Sequence, residues 1–125
     1  MTFIPAVIIT VGIIIISLWE NPQLPPTIAV SDKWIHGLMY AVMAMAWLAP
    51  ICSYKNAIWI ILSTTVFGGV MELLQHYCTT TRSGEWLDLL ADFIGALVGA
   101  LIIVVITKLS HYVITKKSSI INHKS

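Results

Sequence analysis

Residues 68–99 read GGVMELLQHYCTTTRSGEWLDLLADFIGALVG, a polar knot held between two apolar arms. The knot carries Glu72, Gln75, His76, Arg82, Glu85, Asp88 and Asp92, and its flanks are apolar enough to lie in a bilayer. A charge at the centre of a membrane helix costs at least ~2.5–3.5 kcal/mol, so such groups persist where they pair, line a wet cavity or do chemistry. In lipid the backbone must satisfy its own hydrogen bonds, which makes each arm a helix.

The arm before the knot predicts a span from about Ala57 to Tyr77. Glu72 lies inside it, about one and a half turns from its polar end, with Gln75 and His76 at i+3 and i+4. Thr79 to Gly84 reads as a small polar loop carrying Arg82. The arm after it predicts a span from about Trp86 to Thr107, opened by Glu85, Asp88 and Asp92. Asp88, Asp92, Gly95 and Gly99 follow at i, i+4, i+7 and i+11, on one helix face. The small residues of Gly95-Ala-Leu-Val-Gly99 let a neighbouring backbone approach, in the same chain or in a second copy. The tail from Lys108 has four lysines and reads as a frayed helix end followed by a flexible, solvated segment.

Toward the N-terminus, Ser53 to Asn56 reads as a polar turn, and a further span is expected from about Asp32 to Pro50. Ser31 would be its N-cap, with Asp32 in the first turn where the helix dipole favours it. Lys33, His36 and Tyr40 share one face of that span at i, i+3 and i+7. They read either as part of a site or as a snorkelling lysine with interfacial His and Tyr. Glu20 to Ser31 holds Pro22, Pro25 and Pro26 and reads as an extended connection. The first apolar run, Phe3 to Trp19, is about 17 residues long, near the lower limit for a span. It has no basic leader or small-residue cleavage site, so a span is preferred to a signal peptide.

Composition agrees: of 125 residues, 58% are apolar and 10% charged, against ~25% charged in soluble domains. This gives a single domain, all-α, a bundle of four transmembrane helices with short loops. The net charge of +1, without a basic stripe, offers nucleic acid nothing to bind. Cys52 and Cys78 fall near opposite ends of the intervening helix, too far apart for a disulfide.

Four spans put both termini on one side with Lys55, Lys108, Lys116, Lys117 and Lys124, leaving Lys33 and Arg82 on the other. The positive-inside rule makes the lysine-rich side cytoplasmic. The start of the second span, the end of the third and the start of the fourth then meet at the outer face. Lys33, His36, Tyr40, Glu72, Gln75, Arg82, Asp88 and Asp92 are expected to converge there, with Asp32 and Glu85 at the rim. Arg82 suits a bidentate lock on one of the carboxylates. Arg82 and Lys33 equally suit an anionic ligand. The alternative is a network that only ties helices together, and buried ion pairs need not add stability.

These residues resemble the VanZ-like family of small bacterial membrane proteins. The family pattern runs Lys-x-x-His-x-x-x-Tyr, then Glu-x-x-Gln, then an Arg loop leading to Asp and Asn with spaced glycines. Here Lys33, His36 and Tyr40 match the first part, Glu72 and Gln75 the second, and Arg82, Asp88, Gly95 and Gly99 the third. Asp92 stands where the family usually has Asn, which adds a negative charge and lets Asp92 and Asp88 share a proton or a cation. The match covers about Asp32 to Gly99. It implies a bundle of about four helices in the bacterial cytoplasmic membrane and a link, through the family's name-giving member, to low-level resistance to the glycopeptide antibiotic teicoplanin.

The favoured function is binding of a membrane lipid or lipid-linked envelope precursor by its head group at the outer leaflet. The second is an enzyme on such a lipid, with His36 or Glu72 as general acid or base. No phosphatase, transferase or protease motif supports it; HEXXH and GXSXG are both absent. His36, Glu72, His76, Asp88 and Asp92 are metal-ligand types, but no spacing matches a known site, so no metal or cofactor is expected. A scaffold role in an envelope complex stays open. An ion path is disfavoured, because the cytoplasmic halves of the spans carry no deep ionisable residue.

Overall fold

A computed structural model describes residues 2–19, 29–51, 53–78 and 86–125. Within them the chain is all-helical: α1 (Ile4–Leu18), α2 (Ala29–Leu48), α3 (Tyr54–Cys78) and α4 (Trp86–Lys124).

Pro5 sits in the first turn of α1, where its missing N–H is no loss. The helix stops at Trp19, whose backbone turns extended at ψ 117°. Its 15 residues make about 22 Å of helix at 1.5 Å per residue. α2 begins by Ala29, so Ser31 lies inside it and is not its N-cap. α3 begins at Tyr54, which turns most of the expected Ser53–Asn56 loop into the first turn of the helix. The largest departure is α4, which does not end near Thr107 but continues to Lys124, 39 residues in all. Residues 108–124, expected as a frayed end, form exposed helix free of proline and glycine, with Lys116 Nζ over the Tyr112 ring, 6.0 Å from its centre.

α3 and α4 are long and apolar enough to cross a membrane; α1 is apolar but shorter. Their outward faces are oily, with Trp59, Val66 and Leu101 each more than 60% exposed. Helices apolar around most of their circumference are buried in protein or in lipid, and most of each apolar window here is not covered by protein.

α2 and α4 form the most intimate pair. A Cβ on Gly95 would overlap the Gly37 carbonyl, and one on Gly99 would overlap that of Ala41. The glycines on α4 therefore let its backbone rest on that of α2. One apolar cluster joins Ile13, Tyr40 and Met43, with Phe67 and Trp47 against it. A second, at the other end, joins Leu48, Ala57 and Ala100. Two polar bonds hold α1 in place. Trp47 Nε1 donates to Thr10 Oγ1 at 3.0 Å, and Gln75 Nε2 donates to the Ser17 carbonyl at 2.9 Å, meeting an acceptor at the open end of α1.

Candidate functional site

The antiparallel run of α2, α3 and α4 carries the start of α2, the end of α3 and the start of α4 to the same end of the molecule. His36 enters from α2, Glu72 from α3 and Asp92 from α4. His36 Nδ1 lies 3.4 Å from Asp92 Oδ1 and 4.0 Å from Glu72 Oε1. All three are buried: His36 is 3% exposed, Glu72 9% and Asp92 0%.

The surroundings place this trio firmly. The Tyr40 ring lies nearly parallel to the His36 ring, at 12°, with centroids 6.4 Å apart. Tyr40 is itself buried, with Phe67 tilted against it. Gly68 on α3 faces the Asp92 carboxylate so closely that a Cβ there would stand 2.5 Å from Oδ2. Gly68 was not among the expected site residues. Glycine is common in membrane helices, and no sequence spacing pairs it with Asp92 across two elements.

The other expected residues divide. Gln75 is buried at the same end, but its amide is committed to the Ser17 carbonyl, a structural tie between α3 and α1. Asp88 is buried one turn from Asp92. The partner the structure gives Asp92 is His36 on α2, rather than Asp88 on its own helix. Lys33 is half-buried and lines a groove of about 570 Å³ between α2 and α4, beside Trp34, Gly37 and Ile94. His36 and Tyr40 lie inside the bundle, which removes the interfacial reading for both. His76 is exposed, edge-on to the Tyr77 ring at 5.0 Å, and apart from the trio. Arg82 and Glu85, and the lock expected between Arg82 and a carboxylate, lie outside the described residues, as does Cys52. Cys78 is a free, exposed thiol.

A second groove, of about 590 Å³, runs between α3 and α4. Glu72 and His76 line it among Val66, Val70, Leu73 and Leu89. The buried trio thus has one member facing an external surface, along walls that are otherwise apolar.

Chemically, an imidazole between two carboxylates can hold a proton, orient a hydroxyl or phosphate, or share a cation. Its three members also form a metal-type set, with one ligand atom from each lying within 4.8 Å of the others. The convergence of these three was expected from the helix ends, but their spacing matches no known metal motif, because three helices supply one ligand apiece. Comparison of the chain with known protein-family models, curated proteins and solved structures gives no match.

Proposed function

We propose that the chain is a VanZ-like integral membrane protein, a four-span bundle of the bacterial cytoplasmic membrane with both termini in the cytoplasm. Its site binds the head group of a membrane lipid or lipid-linked envelope precursor at the outer leaflet. The observation that carries this reading is the α3–α4 groove, where Glu72 and His76 sit among aliphatic walls. Such a cleft suits a ligand with a polar head and an apolar chain, the head reaching toward His36 and Asp92 and the chain lying along Val66 and Val70. Lys33 and Arg82 would neutralise a phosphate, and Tyr40 would back the imidazole.

The test is lipid co-purification. The parent chain is expected to retain a defined lipid class that Glu72→Gln and Arg82→Ala lose; an unchanged lipid profile in both variants would set the reading aside. The resemblance also carries a phenotype, raised teicoplanin tolerance in cells expressing the chain. Parallel susceptibility assays with the parent and Glu72→Gln check it.

One geometric fact favours a second reading, a membrane enzyme on the same kind of lipid. The Asp92 carboxylate stands 3.4 Å from His36 Nδ1, the arrangement that orients an imidazole for general acid–base work. Turnover of a lipid-linked pyrophosphate by the parent, abolished in His36→Gln, would establish it. A scaffold role predicts a partner protein captured by crosslinking equally well by parent and Glu72→Gln.

A further inference from the structure

His36, Glu72 and Asp92 each direct one ligand atom into one small volume, and these atoms lie within 4.8 Å of one another. The set is one imidazole nitrogen and two carboxylate oxygens. With the imidazole neutral it carries two negative charges in a region almost closed to water.

Asp92 makes the arrangement demanding. It is 0% exposed, and among the described residues neither of its oxygens accepts a hydrogen bond. Its near neighbour is His36 Nδ1, at 3.4 Å. A buried carboxylate persists when a counter-charge or donors satisfy it. A divalent cation beside Asp92 supplies that counter-charge and leaves the imidazole neutral, as a ligand must be. Gly68 keeps the space beside Asp92 Oδ2 open, which any other side chain would fill.

The geometry points to a divalent-cation site held by His36, Glu72 and Asp92. The mixed nitrogen–oxygen set suits a first-row ion such as Zn²⁺ or Mn²⁺ better than Mg²⁺ or Ca²⁺, which favour oxygen throughout. Zinc bonds of about 2.0–2.2 Å set neighbouring ligand atoms in a tetrahedron roughly 3.3–3.6 Å apart. The 3.4 Å between His36 and Asp92 already meets that spacing; the 4.0 Å from His36 to Glu72, and the set as a whole at within 4.8 Å, close as the longer Glu72 side chain turns inward. Three protein ligands leave a coordination position open, as in catalytic rather than structural sites. Glu72 also lines the α3–α4 groove, so that position has an entry path. The site concerns the ion alone and does not rest on the lipid reading.

The full chain, purified in detergent, stripped with chelator and titrated separately with Zn²⁺, Mn²⁺ and Co²⁺, tests it. One saturable equivalent per chain is expected, with a Co²⁺ visible spectrum of low coordination number and a metal-dependent rise in Tm. Affinity should fall by more than about a hundredfold in Asp92→Asn and in Glu72→Gln, beyond the roughly 10–100-fold usual for a residue that merely supports a ligand. A variant with His111 and His123, both on the exposed C-terminal part of α4, changed to Ala should bind like the parent. Failure of the parent to bind any of the three ions stoichiometrically overturns the proposal. So does Asp92→Asn binding as tightly as the parent, or loss of binding on removing the exposed histidines. Should Asp92→Asn fail to fold, Glu72→Gln and the parent's Co²⁺ spectrum still decide. Metal bound by the parent, with no lipid change in either Glu72→Gln or Arg82→Ala, would uphold the ion site while removing the lipid reading.

Discussion

At the scale of single residues, the buried trio behaves differently from the packing around it. Asp92 is fully enclosed and accepts no hydrogen bond among the described residues, so its charge is a liability to folding unless something balances it. Removing a buried charge that nothing balances relieves its desolvation cost. Metal-free Asp92→Asn is therefore expected to unfold at a Tm equal to or above that of the metal-free parent. Thermal unfolding in detergent by circular dichroism measures it. A clear loss of stability would instead make Asp92 a structural tie. The adjacent glycines offer a matched pair. At Gly68 an added Cβ would meet the Asp92 side chain at 2.5–3.2 Å, whereas at Gly69 it would meet Leu89 Cδ1 at an ordinary 3.6 Å. Gly68→Ala should lose about 1–2 kcal/mol, overpacking of ~1–3 kcal/mol offset in part by helix propensity. Gly69→Ala should gain up to ~1 kcal/mol from propensity alone. The same unfolding experiment separates them.

At the scale of helices, the α2–α4 contact positions His36 against Asp92. Gly95 and Gly99 lie one turn apart on α4, and each faces a backbone carbonyl of α2, at Gly37 and Ala41. A backbone atom cannot swing aside as a side-chain end can, so Gly95→Ala must push the helices apart, at about 1–3 kcal/mol. Gly99→Ala should do the same. Once α2 has moved for one, the second costs less, so the double variant should fall short of the sum by at least ~0.5 kcal/mol. A double-mutant cycle of unfolding free energies reads this coupling; strict additivity would show two independent contacts. Gln75 acts between elements in another way, since its amide holds the Ser17 carbonyl of α1. Gln75→Ala should cost about 0.5–1.5 kcal/mol while leaving the trio's ligand behaviour intact.

At the scale of the whole molecule, α4 is about 58 Å long by its 39 residues, nearly twice the ~30 Å of hydrocarbon in a bilayer. With the Asp88–Asp92 end at the outer surface, the helix would cross and then project from the inner one, carrying Lys108, Lys116, Lys117 and Lys124. That is the side which the proposed orientation makes cytoplasmic. Cys78, exposed at the far end of α3, should then react with a membrane-impermeant maleimide on intact cells in a Cys52→Ser background. Labelling seen only after the membrane is opened would invert the topology.

Much was legible from residue order, and for a definable reason. Apolar length and scarce charge are local properties, so all four helices and the polar end of each could be read directly from runs such as residues 57–77 and 86–107. Helical periodicity likewise put Asp92, Gly95 and Gly99 on one face. The ends were harder: α4 continues past Thr107 because Leu109, Tyr112 and Ile114 sustain a helix that four lysines alone do not forbid. What folding alone decided was partnership. Seven polar residues were expected to share a layer with Arg82, yet His36, Glu72 and Asp92 close into a group, Gln75 turns to α1, and Gly68 makes room for a carboxylate on another helix. Helical phase tells which way a side chain faces. Which residue meets it depends on how closely two backbones approach and at what rotation, and those are set by packing between elements far apart in the chain.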